Sequence, residues 1–277
     1  MTSAPRPLDG VKVVEFSHMV MGPTCGLILA DLGADVVKVE PASGGDNTRY
    51  LPGSGSGIFG TYNRNKRSVS VNLKSPEGLE FASRLVRESD VLIENFSAGV
   101  LERLGLGYEA MQKANPRLVY CALKGFLSGP YEQRVALDEV VQMMGGLAYM
   151  TGPEGRPLRA GASVNDVMGG LFGVVAIQAA LWERQRTGKG TFVRSGLFEN
   201  NMFLVAQHML QYRQTGVPAV PMPERKSAWA IYDVFETADD ENIFVGVVSD
   251  KQWTQFCNAF DLDDLLQNED LHSNAQR

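Results

Sequence analysis

The sequence predicts an α/β protein with a large first domain, built on a Rossmann-like, mostly parallel sheet, and the start of a second, smaller α+β domain. Three observations carry that prediction. Short β-branched runs alternate with apolar helical patterns through the first half of the chain. The strand interiors are apolar, as in a sheet covered on both faces. Past the stretch 214–226, which holds Pro218, Pro221 and Pro223, the pattern changes to a hairpin and a capped helix. The domains are therefore expected at 1–213 and 227–277, joined by a linker over 214–226. With 277 residues, 44% hydrophobic and 21% charged, the chain can bury a substantial core.

The run 11–16 reads as the first strand. Gly22-Pro23 follows as loop, the apolar pattern 25–32 as a helix, Gly33 as its stop and 35–40 as the second strand. A right-handed crossover makes these strands parallel. The stretch 41–65, rich in Gly, Ser, Asn and Thr, reads as a long functional loop, locally basic through Arg49, Arg64, Lys66 and Arg67. Strand 68–73, helix 76–88 with Pro76 in its first turn, and strand 90–94 resume the alternation. Short helices at 99–104 and 108–114 precede a strand at 118–123. Helices are then expected at 138–149 and 166–185, with the turn-rich 151–157 between them, followed by strand 191–194 and helix 197–211. In the second domain 231–237 and 242–248 read as antiparallel strands, and Asp250 as the cap of a helix reaching Phe260. The polar tail 268–277 closes no element. Ligands on a parallel sheet sit beyond the strand carboxyl ends, here the loops beginning at Ser17, Pro41, Asn95 and Lys124.

Several function classes fall away on composition and motif. Lys+Arg 26 against Asp+Glu 32 leaves a net charge of −6, so no basic surface is available for a nucleic-acid backbone. Cys25, Cys121 and Cys257 form no C-x-x-C pair, which suits a reducing, cytoplasmic setting. The N-terminus lacks a signal-peptide h-region, and the greasy stretch 171–182 is too short to span a bilayer. The first loop, Phe16-Ser-His-Met-Val-Met-Gly-Pro-Thr-Cys-Gly26, has no G-x-G-x-x-G, so Glu40 at the end of the second strand does not announce a dinucleotide ribose. Walker-A, zincin and G-x-S-x-G patterns are missing, and His18, His208 and His272 are too few for a multi-histidine metal site.

Among the remaining polar residues, His18 stands in a loop at a strand carboxyl end, a position that suits a ligand and a backbone-bonded loop histidine equally. His208 lies within an apolar helix and reads as structural. Asp166 follows Asn165 directly before an apolar, glycine-rich helix. A first-turn acid satisfying free N–H groups explains it. Gly169, Gly170 and Gly173 cost that helix about 1 kcal/mol each against alanine, so something approaches its face closely. A packed neighbouring helix accounts for them as well as a ligand does.

Taken in order, these residues resemble the family III CoA-transferases, the group holding the formyl-CoA and carnitine CoA-transferases and the related α-methylacyl-CoA racemases. The matching motifs are Gly22-Pro23 with Leu32-Gly-Ala-Asp-Val-Val-Lys-Val-Glu40, Asn65-Lys-Arg-Ser68, Asp90-Val-Leu-Ile-Glu-Asn-Phe96, Leu104-Gly105, Asn115-Pro-Arg117, Lys124-Gly-Phe126, the Asp166 segment and Arg186-Thr-Gly-Lys-Gly190. They run from about residue 7 to 265. The resemblance implies that Asp166 is a nucleophile passing CoA between acids through a mixed anhydride and an aspartyl-CoA thioester, with backbone N–H groups near glycine-rich loops stabilising the oxyanions. No metal or permanently bound cofactor is implied; coenzyme A and acyl-CoA are substrates. Asp138 matches an acidic position that orders the active site in transferase relatives, although alone it reads as a helix N-cap. By similarity, CoA touches His18, Met19, Lys74, Asn95, Phe96, Val100 and Arg103, and Lys74 and Arg103 supply cations for its phosphates.

Departures from the pattern narrow the expected substrate. Formyl-CoA transferases carry glutamine where this chain has Val20 and lysine where it has Val135, which turns the expectation away from formyl and oxalate. Arg134, Arg156 and Arg159 can instead receive a second carboxylate, so a C4 or C5 dicarboxylic acid is the expected substrate class. The racemase relatives place a histidine where this chain has Leu137, which leaves racemisation as the enzymatic alternative and an inactive CoA-binding homologue as the non-enzymatic one. The resemblance further implies a chain that continues past residue 277, hence a C-terminally truncated sequence, and a homodimer of interlinked chains.

Overall fold

The computed structural model describes residues 4–225 and 227–277; residue 226, the last of the expected linker, lies outside the described residues. Its packing forms two compact units, one ending at Met222 and the other beginning at Pro223.

Six parallel strands organise the first unit: β1 (Lys12–Phe16), β2 (Asp35–Pro41), β3 (Arg67–Val71), β4 (Val91–Glu94), β5 (Val119–Lys124) and β6 (Phe192–Gly196), in the order β3-β2-β1-β4-β5-β6. The order reverses between β1 and β4, so a crevice opens beyond their carboxyl ends. The helices between the strands are α1 (Met21–Asp31), α2 (Ile58–Tyr62), α3 (Pro76–Arg87), α4 (Val100–Arg103) and α5 (Tyr108–Ala114). Between β5 and β6 come α6 (Asp138–Met144), α7 (Leu147–Thr151) and α8 (Val164–Thr187), and α9 (Leu197–Thr215) follows β6. Alternation along each strand divides the core in two. Val13, Val36, Ile93 and Cys121 pack against α1 and α8, while Val14, Val39, Leu92 and Tyr120 pack against α3 and α5. Both faces of the sheet are covered, as the apolar strand interiors predict.

Several local expectations are corrected. Helix α1 starts at Met21, four residues before the apolar pattern suggests, because Pro23 sits in a first turn where no N–H donor is required. The expected helix 138–149 breaks at Gly145-Gly146, where Gly146 takes φ +84°. The stretch 41–65 contains two 3-10 turns and α2, and its basic character is neutralised: Arg49 pairs with Glu40, Arg64 with Asp31, Lys66 with Glu15 and Arg67 with Asp35. Burial pushes the Glu40 carboxyl up, but hydrogen bonds from Arg49 and Ser68 outweigh it and hold its pKa at about 2. Helix α9 runs on to Thr215, into the segment read as linker.

Helix α8 packs on α1, β5, β6 and α9 as the central helix of one face. Of the two explanations for its glycines, the packed helix holds. A Cβ on Gly170 would stand 2.8 Å from the Met21 carbonyl oxygen and 2.8 Å from Thr24 Cβ, and one on Gly173 would stand 2.9 Å from Leu123 Cδ2. Its 24 residues are also long and apolar enough to cross a membrane by length and composition, which a reading confined to 171–182 missed.

In the second unit, β7 (Ile231–Glu236) and β8 (Asn242–Val247) pair antiparallel, followed by α10 (Asp250–Ala259) and α11 (Asp263–Leu266). The cap of α10 is Ser249, whose hydroxyl accepts the Gln252 N–H, and Asp250 is the first helical residue. The tail is not idle: Arg277 stacks over Trp253 at 4.8 Å and donates to Asp250 at 2.7 Å.

Candidate active site

The first loop, Ser17 to Val20, leaves β1 on a buried platform of charge. Glu15, at the carboxyl end of β1, meets Lys66 at 2.8 Å and Lys38 at 3.3 Å, while Lys38 Nζ donates to the Ser17 carbonyl at 2.6 Å. Across the point where the strand order reverses, Asn95 brackets the next residue from the end of β4. Its Oδ1 accepts the His18 N–H at 3.0 Å and its Nδ2 donates to the His18 carbonyl at 2.8 Å. Met19 beside it takes φ +62°, a left-handed conformation unusual for a side-chain-bearing residue. The loop is thereby held from three strands, and His18 packs its ring 5.7 Å from Phe96.

Opposite the loop stands the amino end of α8. Its capping residue, Ser163, makes no side-chain cap bond. The first turn is served from another helix: Asp138, the first residue of α6, accepts the N–H groups of Asn165 at 2.7 Å and Asp166 at 3.1 Å on one oxygen, Oδ2. Its other oxygen accepts from Gln142 Nε2, four residues along α6. Gln142, fully buried, uses its remaining oxygen to accept the Ala160 N–H at 2.7 Å. Asn165, also fully buried, donates to Asn201 of α9 at 3.2 Å. The reading of Asp138 as the cap of its own helix is therefore corrected, while Asp166 is a first-turn acid as read but not the group that serves those N–H donors. Asp166 is the third residue of α8 and caps nothing, and Asp138 caps α8, whereas α6 is preceded by Leu137 with no side-chain cap.

His18, Met19, Asn95, Asp138 and Asp166 line one cleft of about 340 Å³, with Lys124, Leu137, Glu139 and Arg159 on its walls. A second hollow of about 180 Å³ shares His18, Asn95 and Lys124 and continues past Phe96 and Arg134. Of the residues expected to meet CoA, Lys74, Val100 and Arg103 line neither. Lys74 lies three residues beyond β3, and Val100 and Arg103 bound α4, after β4, so all three stand past strand carboxyl ends. Arg156 likewise lines neither hollow.

Burial pushes the Asp166 carboxyl up, the Asp138 charge pushes it further and Arg159 partly offsets both, leaving a pKa of about 7. Its first-turn amides are engaged, Val164 to Ala162 at 2.9 Å and Val167 to Ser163 at 3.0 Å, so the end of α8 is not an anion pocket. The site thus presents a carboxylate that is easily protonated, held on a rigid helix, facing a loop tethered to the sheet. Such a group can act as a nucleophile toward an activated carbonyl. Lys124 at the end of β5 pairs with Glu94 at 2.6 Å and donates to the Phe96 carbonyl at 2.7 Å, tying the loop after β4 to the cleft wall. Burial raises the Glu94 carboxyl, and Lys124 opposes the rise. Sequence reasoning missed Gln142 and Glu139, and it named Lys124 only as a loop start and motif residue and Asn165 only as the neighbour of Asp166. The four-residue spacing of Asp138 and Gln142 was the available signal for the first.

The family model described as CoA-transferase family III matches residues 8–277. The chain belongs to that family. It is 36% identical to the succinate–glutarate CoA-transferase of Agrobacterium fabrum over a 292-residue alignment, covering 100% of this chain and 73% of the relative. It is 43% identical to the formyl-CoA:oxalate CoA-transferase of Rhodopseudomonas palustris over 197 residues, 69% of this chain and 46% of the relative. The chain therefore spans between 46% and 73% of the length of these curated relatives. A crystal structure of a CAIB/BAIF family protein from Brucella suis superposes with a TM-score of 0.86 at 36% identity, over 99% of this chain and 75% of that one. The expected fold and family are as found.

Proposed function

We propose that this chain is a CoA-transferase acting through Asp166. The single observation that carries the reading is a carboxylate on the rigid start of α8, facing the cleft at the crevice between β1 and β4. An Asp166 oxygen attacks the carbonyl carbon of an acyl-CoA thioester; the C–S bond breaks and CoA leaves as the thiolate, giving a mixed anhydride. The thiolate attacks the Asp166 carbonyl carbon, releasing the donor acid as its carboxylate and leaving an aspartyl-CoA thioester. The acceptor carboxylate then attacks that thioester and expels the thiolate, forming a second anhydride. Attack of the thiolate on the acceptor's acyl carbon restores Asp166. No net proton is taken up or released, and each difficult acyl exchange is divided into easier steps.

In this reading Asp138 is a positioning residue that caps α8, and CoA lies over His18, Met19, Asn95 and Phe96. Lys74, Val100 and Arg103 stand further along the same sheet edge, where an extended molecule crossing the reversal point reaches them. The acids exchanged are small dicarboxylates. The name of one relative, succinate–glutarate CoA-transferase, agrees with that class, and Arg159 supplies a cation in the Asp166 cleft. Leu137 on the cleft wall offers no base, which weighs against racemisation. Association into a homodimer belongs to the same proposal, and the exposed apolar side chains of Trp182 on α8 and Phe203 on α9 support it.

Mass spectrometry of the protein incubated with succinyl-CoA tests the reading, comparing wild type with Asp166→Ala and trapping with hydroxylamine. A CoA adduct on the Asp166 peptide, lost in the variant, is expected. A folded protein with no adduct from any acyl-CoA would mean a CoA-binding homologue.

A further inference from the structure

The cleft wall carries an ion pair outside the Asp166 arrangement. Arg159 donates from Nη1 to Glu139 Oε1, and both line the cleft with Asp166. Their side chains are 37% and 56% exposed, so water competes for the pair and it is weakly held. Arg159 does not depend on Glu139 for its placement. Its Nε donates to the Ala160 carbonyl at 3.0 Å, and the Ala160 N–H donates to Gln142, which donates to Asp138. The guanidinium is thus registered, through Ala160 and Gln142, to the carboxylate that caps α8. Its charge is felt at Asp166.

We infer that the Glu139–Arg159 pair sets the preference between acids with one and with two carboxylates: Arg159 receives the distal carboxylate of a dicarboxylic acid, and Glu139 is the internal carboxylate displaced. This rests on the reading that Asp166 carries CoA in the same cleft. Asp138, Asp166 and Glu139 outnumber Lys124 and Arg159 on the cleft walls, and Lys124 is already paired with Glu94, so an incoming diacid is repelled unless Arg159 takes its second charge. A guanidinium meets a carboxylate through two parallel N–H donors, and exchanging Glu139 for the substrate keeps Arg159 paired throughout. A monocarboxylic acid leaves Glu139 in place and gains nothing from Arg159. Once Asp166 is held as a thioester its negative charge is gone, so the cleft is least repulsive when the acceptor acid arrives.

The test is calorimetric titration of the 277-residue chain, with CoA present, against glutarate and valerate, five-carbon acids that differ in the second carboxylate. Wild type is compared with Glu139→Gln, Arg159→Gln, Arg159→Lys and Arg156→Gln, with folding checked by circular dichroism. The glutarate-to-valerate affinity ratio is expected to fall about tenfold or more in Arg159→Gln, to fall less in Arg159→Lys, and to rise about threefold or more in Glu139→Gln. Arg156→Gln removes the same charge away from the cleft and is expected to follow wild type. The inference is overturned if Arg156→Gln lowers the ratio as much as Arg159→Gln, if Glu139→Gln weakens glutarate, or if wild type shows no preference for it. The aspartyl-CoA adduct, measured on the same protein preparations after separate incubation with succinyl-CoA, separates the two readings. A missing adduct with the ratio shifts intact removes the Asp166 reading alone, and an adduct with unchanged ratios removes this inference alone.

Discussion

Asp138 on α6 and Asp166 on α8 meet through the backbone: Asp138 Oδ2 accepts the Asp166 N–H at 3.1 Å. One carboxylate ends the helix that bears the other, so the charge that stabilises the fold of α8 also disfavours ionisation of Asp166.

In the proposed mechanism Asp166 must be ionised to attack, and its pKa is about 7. Adduct formation from an acyl-CoA in the free protein is therefore expected to rise with pH to a plateau, with its midpoint near 7. Stopped-flow release of CoA across pH 5 to 9 checks this, and a midpoint in the ordinary carboxylate range would contradict the burial argument.

The same shift has a cost to stability with a defined sign. A carboxyl whose folded pKa is raised penalises the folded state above that pKa and not below the unfolded value of 3.8, so stability falls as pH climbs through that window. Asp166→Asn is expected to remove the penalty, by on the order of 4 kcal/mol at pH 8, and to flatten the dependence. Urea denaturation at pH 5 and pH 8 gives both numbers.

Removing the Asp138 carboxylate separates its two roles. Asp138→Asn keeps an acceptor for the α8 amides but deletes the charge, so the kinetic midpoint of Asp166 should move to lower pH while staying above the ordinary range, since burial persists. Asp138→Ala also strands the buried Asn165 N–H and is expected to cost about 1–3 kcal/mol. A shift of the kinetic midpoint to higher pH in Asp138→Asn would exclude the proposed coupling.

Gln142 is buried with both ends of its carboxamide engaged. Gln142→Leu leaves Asp138 Oδ1 and the Ala160 N–H without partners, and a loss of about 2–4 kcal/mol is expected in chemical denaturation. Gln142→Glu retains the acceptor for Ala160 but sets a second carboxylate against Asp138, and is expected to be the worse of the two above pH 7.

Gly170→Ala places a methyl 2.8 Å from a backbone carbonyl of α1, which cannot swing aside as a side chain can. A loss of about 1–3 kcal/mol is expected despite the better helix propensity of alanine. A stabilised variant would mean that α1 and α8 are less tightly apposed.

The sequence alone determined the layers and their order of appearance. The β-branched runs and helical patterns made the parallel sheet legible because each signal is local, a matter of side-chain period within one element. The ordered motifs likewise made the family legible and pointed to Asp166 and Asp138 as candidate site residues. Tertiary structure decided what those residues do to one another. Asp138 and Asp166 are 28 positions apart, separated by a broken helix and a turn-rich segment, and no periodicity links them. That one caps the helix of the other, that the α8 glycines admit α1, and that Arg159 faces Glu139 all depend on where separate elements dock. Docking is fixed by packing across the sheet, to which the chemistry of these polar side chains contributes little, so their pairing is written in the fold and not in their spacing.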